Sequence, residues 1–178
     1  MRTDEEADDI YAWRWIVLSL HNAVQGFMVL SLRHGNGLLA LSSRCFVAWM
    51  EAHESDGKYP KKELDTYLGL YKKVKSKETG AIGGNTPFVP KGSEGRSIRK
   101  LNALRKDFIH FTPKGWSLEV SGLPKIGIDC LRLIAFLGWE TQNVFWHSQK
   151  CVQLAKTNHA KCLAQLEALN GEYREGRI

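Results

Sequence analysis

Arg105 and His110 are the two residues whose types and spacing best suit catalysis in this sequence. A histidine with a pKa of about 6.5 can accept and donate protons at neutral pH. An arginine can hold a phosphate group and stabilise the negative charge that develops on it. The pair therefore predicts RNA cleavage without a metal ion. The ribose 2′-OH would attack the adjacent phosphate while His110 moves a proton and Arg105 holds the phosphoryl oxygens.

The geometry of a regular helix separates these two side chains. At about 100° per residue, Arg105 and His110 stand roughly 140° apart around the helix axis. They meet only if the helix end distorts before Pro113, or if a symmetric dimer brings two copies of the helix face to face. Asn102, Lys106 and His110 instead form one row at i, i+4 and i+8. The alternative role of His110 is an interaction with the negative C-terminal end of its helix.

The other histidines and the cysteines form no recognisable metal-binding pattern. His21 lies within an apolar helical stretch and is predicted to be a core or boundary histidine. The sequence has no H-E-x-x-H motif and no C-x-x-C spacing. The cysteines are predicted to be reduced and mostly buried thiols. They are Cys45, Cys130, Cys151 and Cys162. We expect neither a metal ion nor a cofactor.

Two basic segments flank a stretch that is rich in glycine and proline. Residues 58–77 and residues 91–106 each carry a net charge of +5, against +6 for the whole chain. These segments are either a surface that follows a phosphate backbone or the solvated faces of two helices. Nearby aromatic residues either stack on bases or anchor the core and loops. They are Tyr59, Tyr67, Tyr71 and Phe88.

Apolar residues at helical spacing predict an all-α fold. Helices are expected from about residue 4 to 33, 38 to 53, 61 to 75, 96 to 111 and 125 to 170, the last being one bent helix or two in series. Residues 76–95 are predicted to be a long flexible loop, and residues 116–120 a short strand. The whole chain, 1–178, is expected to form one domain, a bundle of four to five helices.

Composition and charge limit the class of protein further. The chain is 43% hydrophobic and 25% charged, which excludes collagen-like and wholly disordered proteins. Its acidic N-terminus does not fit a secretory signal, and residues 15–32 are too polar to predict a membrane span. A cytoplasmic protein is expected. The basic isoelectric point of about 9.2 favours a polyanion such as RNA as a partner.

Residues 105–110 (RKDFIH) match the R-x4-6-H motif of the HEPN superfamily. The stretch 96–126 also resembles a bacterial family of this kind. These proteins are small helical bundles, many of them metal-independent endoribonucleases that serve as toxins or in phage defence. The resemblance implies a homodimer in which two motif helices converge on one cleft. In the family a small polar residue usually follows the arginine, whereas this sequence has Lys106.

The resemblance also implies roles for individual residues and partners. Arg105 and His110 would be catalytic, whereas Asn102, Lys106 and Asp107 would line the site. Lys114 would add a phosphate contact. RNA is the expected substrate, and an antitoxin or a nucleotidyltransferase is the implied protein partner. Two hypotheses compete with an endoribonuclease: a non-catalytic HEPN-like module that binds RNA, a nucleotide or a protein, and a plain helical scaffold.

Overall fold

Seven α-helices dominate the computed structural model, which describes residues 10–33, 35–109 and 120–176, with side chains from residue 12 onward. They are α1 (Ile10–Ser31), α2 (Ser43–Glu54), α3 (Tyr67–Lys75), α4 (Lys77–Gly83), α5 (Glu94–Ile109), α6 (Leu123–Ala135) and α7 (Gln149–Arg174). A 3-10 turn at Leu38–Ala40 precedes α2, and a π-helical turn at Phe136–Glu140 continues α6. These ranges contain no β-strand, so the all-α class is confirmed. The predicted strand at 116–120 lies outside them.

The helices outnumber the predicted four to five, and that prediction was wrong. Ser76 alone separates α3 from α4, and its hydroxyl accepts a hydrogen bond from the backbone N–H of Thr79 at 3.0 Å. This bond caps the start of α4. Residues 141–148 separate α6 and its π-helical turn from α7. The predicted stretch 125–170 is therefore two helices in series.

Residues 76–95 are also not a continuous loop, because α4 occupies part of this stretch and α5 begins at Glu94. Gly80 is buried within α4. A Cβ at this position would lie 2.7 Å from the carbonyl oxygen of Asn85 and 2.9 Å from the ring of Pro87. The glycine permits the following chain to fold back against α4, so it marks a close approach of backbone rather than the end of a helix.

The chain that precedes α3 is extended, although a helix from about residue 61 was predicted. An isolated antiparallel bridge pairs Leu64 with Leu41. The backbone N–H of Ser42 donates to the carbonyl of Glu63 at 3.0 Å. These backbone groups are satisfied by pairing between segments and not by helix formation. The helix consequently begins at Tyr67.

The described residues divide into two compact units. Unit 1 contains the described residues up to 24, those between 90 and 136, and those from 146 onward. Unit 2 contains the described residues between 25 and 89 together with 137–145. Unit 1 holds α5, α6 and α7 with the first part of α1, and unit 2 holds α2, α3 and α4. The expectation of a single domain over 1–178 stays a prediction.

One face of α1 in unit 1 is left open. Trp13, Val17 and Val24 are buried, as the helical spacing predicts, but Trp15 is 67% exposed. The exposed side of the helix lines an apolar groove of about 450 Å³ together with residues of α6 and α7. The first helix is therefore less buried than its apolar residues suggest. No helix in the described ranges is long and apolar enough to cross a membrane.

Candidate functional site

Helix α5 carries most of the residues to which the sequence assigns chemistry, and its apolar row fixes its orientation. Ile98, Leu101, Leu104 and Phe108 are all buried, as their spacing predicts. Burying side chains of this size contributes about 1.5–3 kcal/mol each. With this row against the core of unit 1, the opposite face of α5 is directed to solvent.

A buried carboxylate ties the start of α5 to α6. Asp129 on α6 is fully buried and accepts hydrogen bonds from the hydroxyls of Ser93 at 2.6 Å and Ser97 at 2.7 Å. Lys125 donates to its other oxygen at 2.5 Å. Burial opposes the charged form of Asp129, but the hydrogen bonds from Lys125, Ser93 and Ser97 outweigh it and lower the pKa of this carboxyl. The network explains how α5 is held in place.

Asn102 and Arg105 lie one helical turn apart on α5, and both are half-buried. Asn102 meets His21 of α1, whose Nε2 lies 3.3 Å from the amide Oδ1. His21 is only 2% exposed. Arg105 has no hydrogen bond or ion pair with any residue in the described ranges. The three side chains thus combine a half-buried unpaired cation, an amide and a buried imidazole.

The surroundings of His21 favour its neutral form. Burial lowers the pKa of this imidazole, and the positive charge of Arg105 lowers it further. The hydrogen bond with Asn102 acts in the opposite direction but does not restore the ordinary value. At neutral pH this site therefore carries the charge of Arg105 without a second cation at His21.

The exposed face of α5 is strongly basic. Arg96, Arg99, Lys100 and Lys106 are exposed, and none of them has an ion pair or hydrogen bond within the described part of the chain. At about 100° per residue, these four side chains fall within a sector of roughly 120°, which also contains the exposed carboxylate of Asp107. The row extends about 15 Å along the helix axis, given a rise of 1.5 Å per residue. We call it the α5 basic face.

The basic segment of unit 2 is different, because several of its lysines are engaged within the unit. Lys73 pairs with Asp65 at 2.9 Å and also donates to the carbonyl of Leu41. Lys75 lies over the ring of Tyr71, with 4.5 Å between Nζ and the ring centroid. Lys62 donates to a backbone carbonyl at 2.8 Å. These contacts stabilise unit 2, although other lysines of the same segment are exposed and their side chains make no ion pair or hydrogen bond within the described residues. They are Lys58, Lys61, Lys72 and Lys77. We prefer α5 as the phosphate-binding candidate because it also carries Arg105.

Three of the four aromatic residues near this segment belong to the core and are not available for base stacking. Tyr67, Tyr71 and Phe88 are buried. Tyr59 is about half exposed, but its ring packs against Trp49 at 4.5 Å between centroids. Of the two alternatives left open by the sequence, anchoring of the core and loops is the one that the structure supports.

Of the predicted site residues, four lie in the described ranges. Arg105 and Asn102 share one part of the helix surface, whereas Lys106 and Asp107 are exposed further around it. His110 and Lys114 lie outside the described residues. His21 was interpreted as a core or boundary histidine, and its contact with Asn102 was missed. The sequence shows that His21 is a lone histidine in an apolar row, which indicates a buried polar contact. Only the packing of α1 on α5 identifies Asn102 as the partner.

No group of three or more potential metal-ligating side chains was found among the described residues. In comparisons with known proteins, no family model, no curated protein and no solved structure matches this chain.

Proposed function

We propose that this protein binds RNA along the α5 basic face and cleaves it by HEPN-type, metal-independent chemistry at Arg105 and His110. One observation carries the proposal: Arg105 is a half-buried cation without a carboxylate partner in the described ranges, on the helix that also carries the exposed cations of the α5 basic face. A partly buried positive charge without an anion favours binding of an external anion. The phosphates of RNA supply such anions at regular spacing along a strand.

The cleavage step transfers a phosphoryl group within the RNA. The 2′-oxygen of the ribose forms a bond to phosphorus while the bond from phosphorus to the 5′-oxygen breaks. His110 accepts the proton of the 2′-OH or supplies one to the leaving 5′-oxygen. Arg105 stabilises the charge on the phosphoryl oxygens. The products are a 2′,3′-cyclic phosphate and a 5′-OH, and the reaction consumes no water.

A homodimer completes this proposal. Arg105 and His110 stand roughly 140° apart on one ideal helix. Two copies of α5 that face each other would bring Arg105 of one protomer near His110 of its partner. A toxin or a phage-defence component is the biological role that the sequence resemblance favours for such an enzyme.

A second candidate is a non-catalytic module that binds RNA. The exposed position of Lys106 favours it, since this residue extends the α5 basic face and stands where the resembled family usually has a small polar group. Binding by α5 requires its basic face and Arg105 but no proton transfer by His110. The two candidates thus differ in whether the RNA is cleaved.

The test is cleavage of a single-stranded RNA by purified protein at pH 7 with excess chelator. Wild type should produce 2′,3′-cyclic phosphate ends. Arg105→Gln and His110→Ala should each reduce the rate at least 100-fold, since either change removes one half of the chemistry. Lys72→Gln, which removes an exposed lysine of unit 2, is the matched control and should retain full activity. Binding without cleavage by folded wild type would contradict the nuclease and support the binding module.

A further inference from the structure

His21 lies where it can determine which end of the Asn102 amide meets a ligand. The imidazole Nε2 is 3.3 Å from Oδ1 of Asn102, and this oxygen can only accept a hydrogen bond. Nε2 must therefore carry the proton and donate it. In this arrangement the amide oxygen is satisfied within the protein.

The other end of the amide then remains available. The Nδ2 group of Asn102 carries two N–H donors, and no residue of the described ranges accepts a hydrogen bond from it. Asn102 is half-buried, and Arg105 follows one turn later on the same helix. The guanidinium contributes up to five more donors and no acceptor. This part of α5 consequently presents a set of hydrogen-bond donors with one positive charge.

We propose that His21 is a positioning residue that holds the Asn102 amide with its oxygen inward, so that Asn102 Nδ2 and Arg105 together bind a non-bridging phosphate oxygen of RNA. The inference rests on the proposed RNA binding by α5 and assigns the residues that orient its anion site. A neutral His21 suits this role, because it donates one hydrogen bond without adding a second charge that would repel Arg105.

A buried histidine that only fills space would behave differently. Its replacement would change the stability of unit 1 but would not alter binding through Asn102. The two roles separate in a double-mutant cycle, since a residue that acts through Asn102 has no effect once Asn102 is gone. A glutamine at position 21 retains an N–H donor, whereas a leucine retains bulk and has no donor.

The experiment measures the affinity for a 12-nucleotide 2′-O-methyl RNA, which cannot be cleaved, at pH 7.5. His21→Leu should weaken binding about 3- to 10-fold, the effect of one typical hydrogen bond. His21→Gln should stay within about twofold of wild type, because the glutamine amide retains an N–H donor for Asn102. Asn102→Ala should match His21→Leu, and the double variant should bind no more weakly than Asn102→Ala alone. Thermal melting of each variant establishes that it is folded.

Two results would overturn the inference while leaving RNA binding intact. The first is wild-type affinity in His21→Leu. The second is a double variant whose loss equals the product of the two single losses, because His21 would then act independently of Asn102. Folded wild-type protein that fails to bind the RNA would instead overturn the proposed function and this inference together.

If His21→Leu does not fold, the comparison of His21→Gln with Asn102→Asp decides. Asn102→Asp replaces the outward donors by a carboxylate oxygen and should weaken binding at least tenfold, whereas equal binding by both variants would contradict the assigned orientation.

Discussion

At the scale of single residues, the unit 1 site combines polar groups that are buried for different reasons. Asp129 is satisfied by two serine hydroxyls and a lysine, so its charge is used to hold α5 against α6. Arg105 has no such partner in the described ranges. An unpaired cation at a half-buried position costs solvation energy that a structural role would not require. We infer that its role is to bind an anion.

The buried imidazole of His21 predicts a pH dependence of stability. Burial and the charge of Arg105 lower its pKa in the folded protein from an ordinary value of 6.5. Below pH 6.5 the unfolded chain binds a proton at His21 that the folded protein does not, and the free energy of unfolding falls as the pH decreases. The melting temperature of wild type should therefore drop between pH 7.5 and 5.5. His21→Gln should show a smaller drop.

Asp129 does not interfere with that measurement. Its pKa in the folded protein is below its ordinary value of 3.8, so the stability that it contributes is present above this pH and is lost only as the pH falls further. The two groups thus act in separate pH windows. Equal melting-temperature drops in wild type and His21→Gln between pH 7.5 and 5.5 would show that burial of His21 does not favour its neutral form.

At the scale of helices, the contact between α6 and α7 depends on one glycine. A Cβ at Gly127 of α6 would lie 2.6 Å from Cδ1 of Leu166 on α7. Gly127→Val should therefore force the helices apart and cost about 1–3 kcal/mol of the free energy of unfolding. Urea denaturation measures this loss as a lower midpoint.

Gly171 of α7 supplies the matched control. A Cβ there would meet nothing within 4 Å, so Gly171→Ala should gain about 0.5–1 kcal/mol from its better helix propensity. If Gly127→Val is as stable as wild type while Gly171→Ala behaves as expected, the close approach of α6 to α7 is not a source of stability.

Helix patterns in the sequence predict the parts of this fold that depend on local periodicity. The row Ile98, Leu101, Leu104 and Phe108 is buried, because its spacing follows the helix period and its side chains face one core. Helix α4 was missed, since its glycines are typical of a loop. Only the folded-back chain shows that Gly80 serves a close contact.

Like the fold, the candidate site could be predicted from the sequence only where it depends on local spacing. Arg105 and Asn102 follow from residue type and spacing along one helix. The partnership of Asn102 with His21 joins residues 81 positions apart, and no local pattern contains that information. The engagement of Lys62, Lys73 and Lys75 within unit 2 also required side-chain contacts, because both basic segments carry the same net charge.

At the scale of the whole molecule, the proposed RNA-binding surface uses positive charge of α5 that has no partner within the described residues. The lysines of unit 2 that contact Asp65, Tyr71 and backbone carbonyls stabilise their own unit. The α5 basic face has no comparable contacts within the described residues. Binding of a polyanion is therefore expected to depend on a few residues of α5 and not on the overall charge of +6.

The salt dependence of RNA binding shows whether α5 contacts the phosphates. Affinity for the uncleavable RNA is measured between about 50 and 200 mM salt for wild type, for Arg99→Gln/Lys100→Gln in α5, and for Lys58→Gln/Lys72→Gln in unit 2. Each phosphate contact that is removed should reduce the slope of log affinity against log salt by about 0.7 for a single strand. We expect the slope to be smaller by roughly 1.4 in the α5 variant and unchanged in the unit 2 variant. Equal slopes in the α5 variant and wild type, with both proteins folded, would contradict RNA binding by α5.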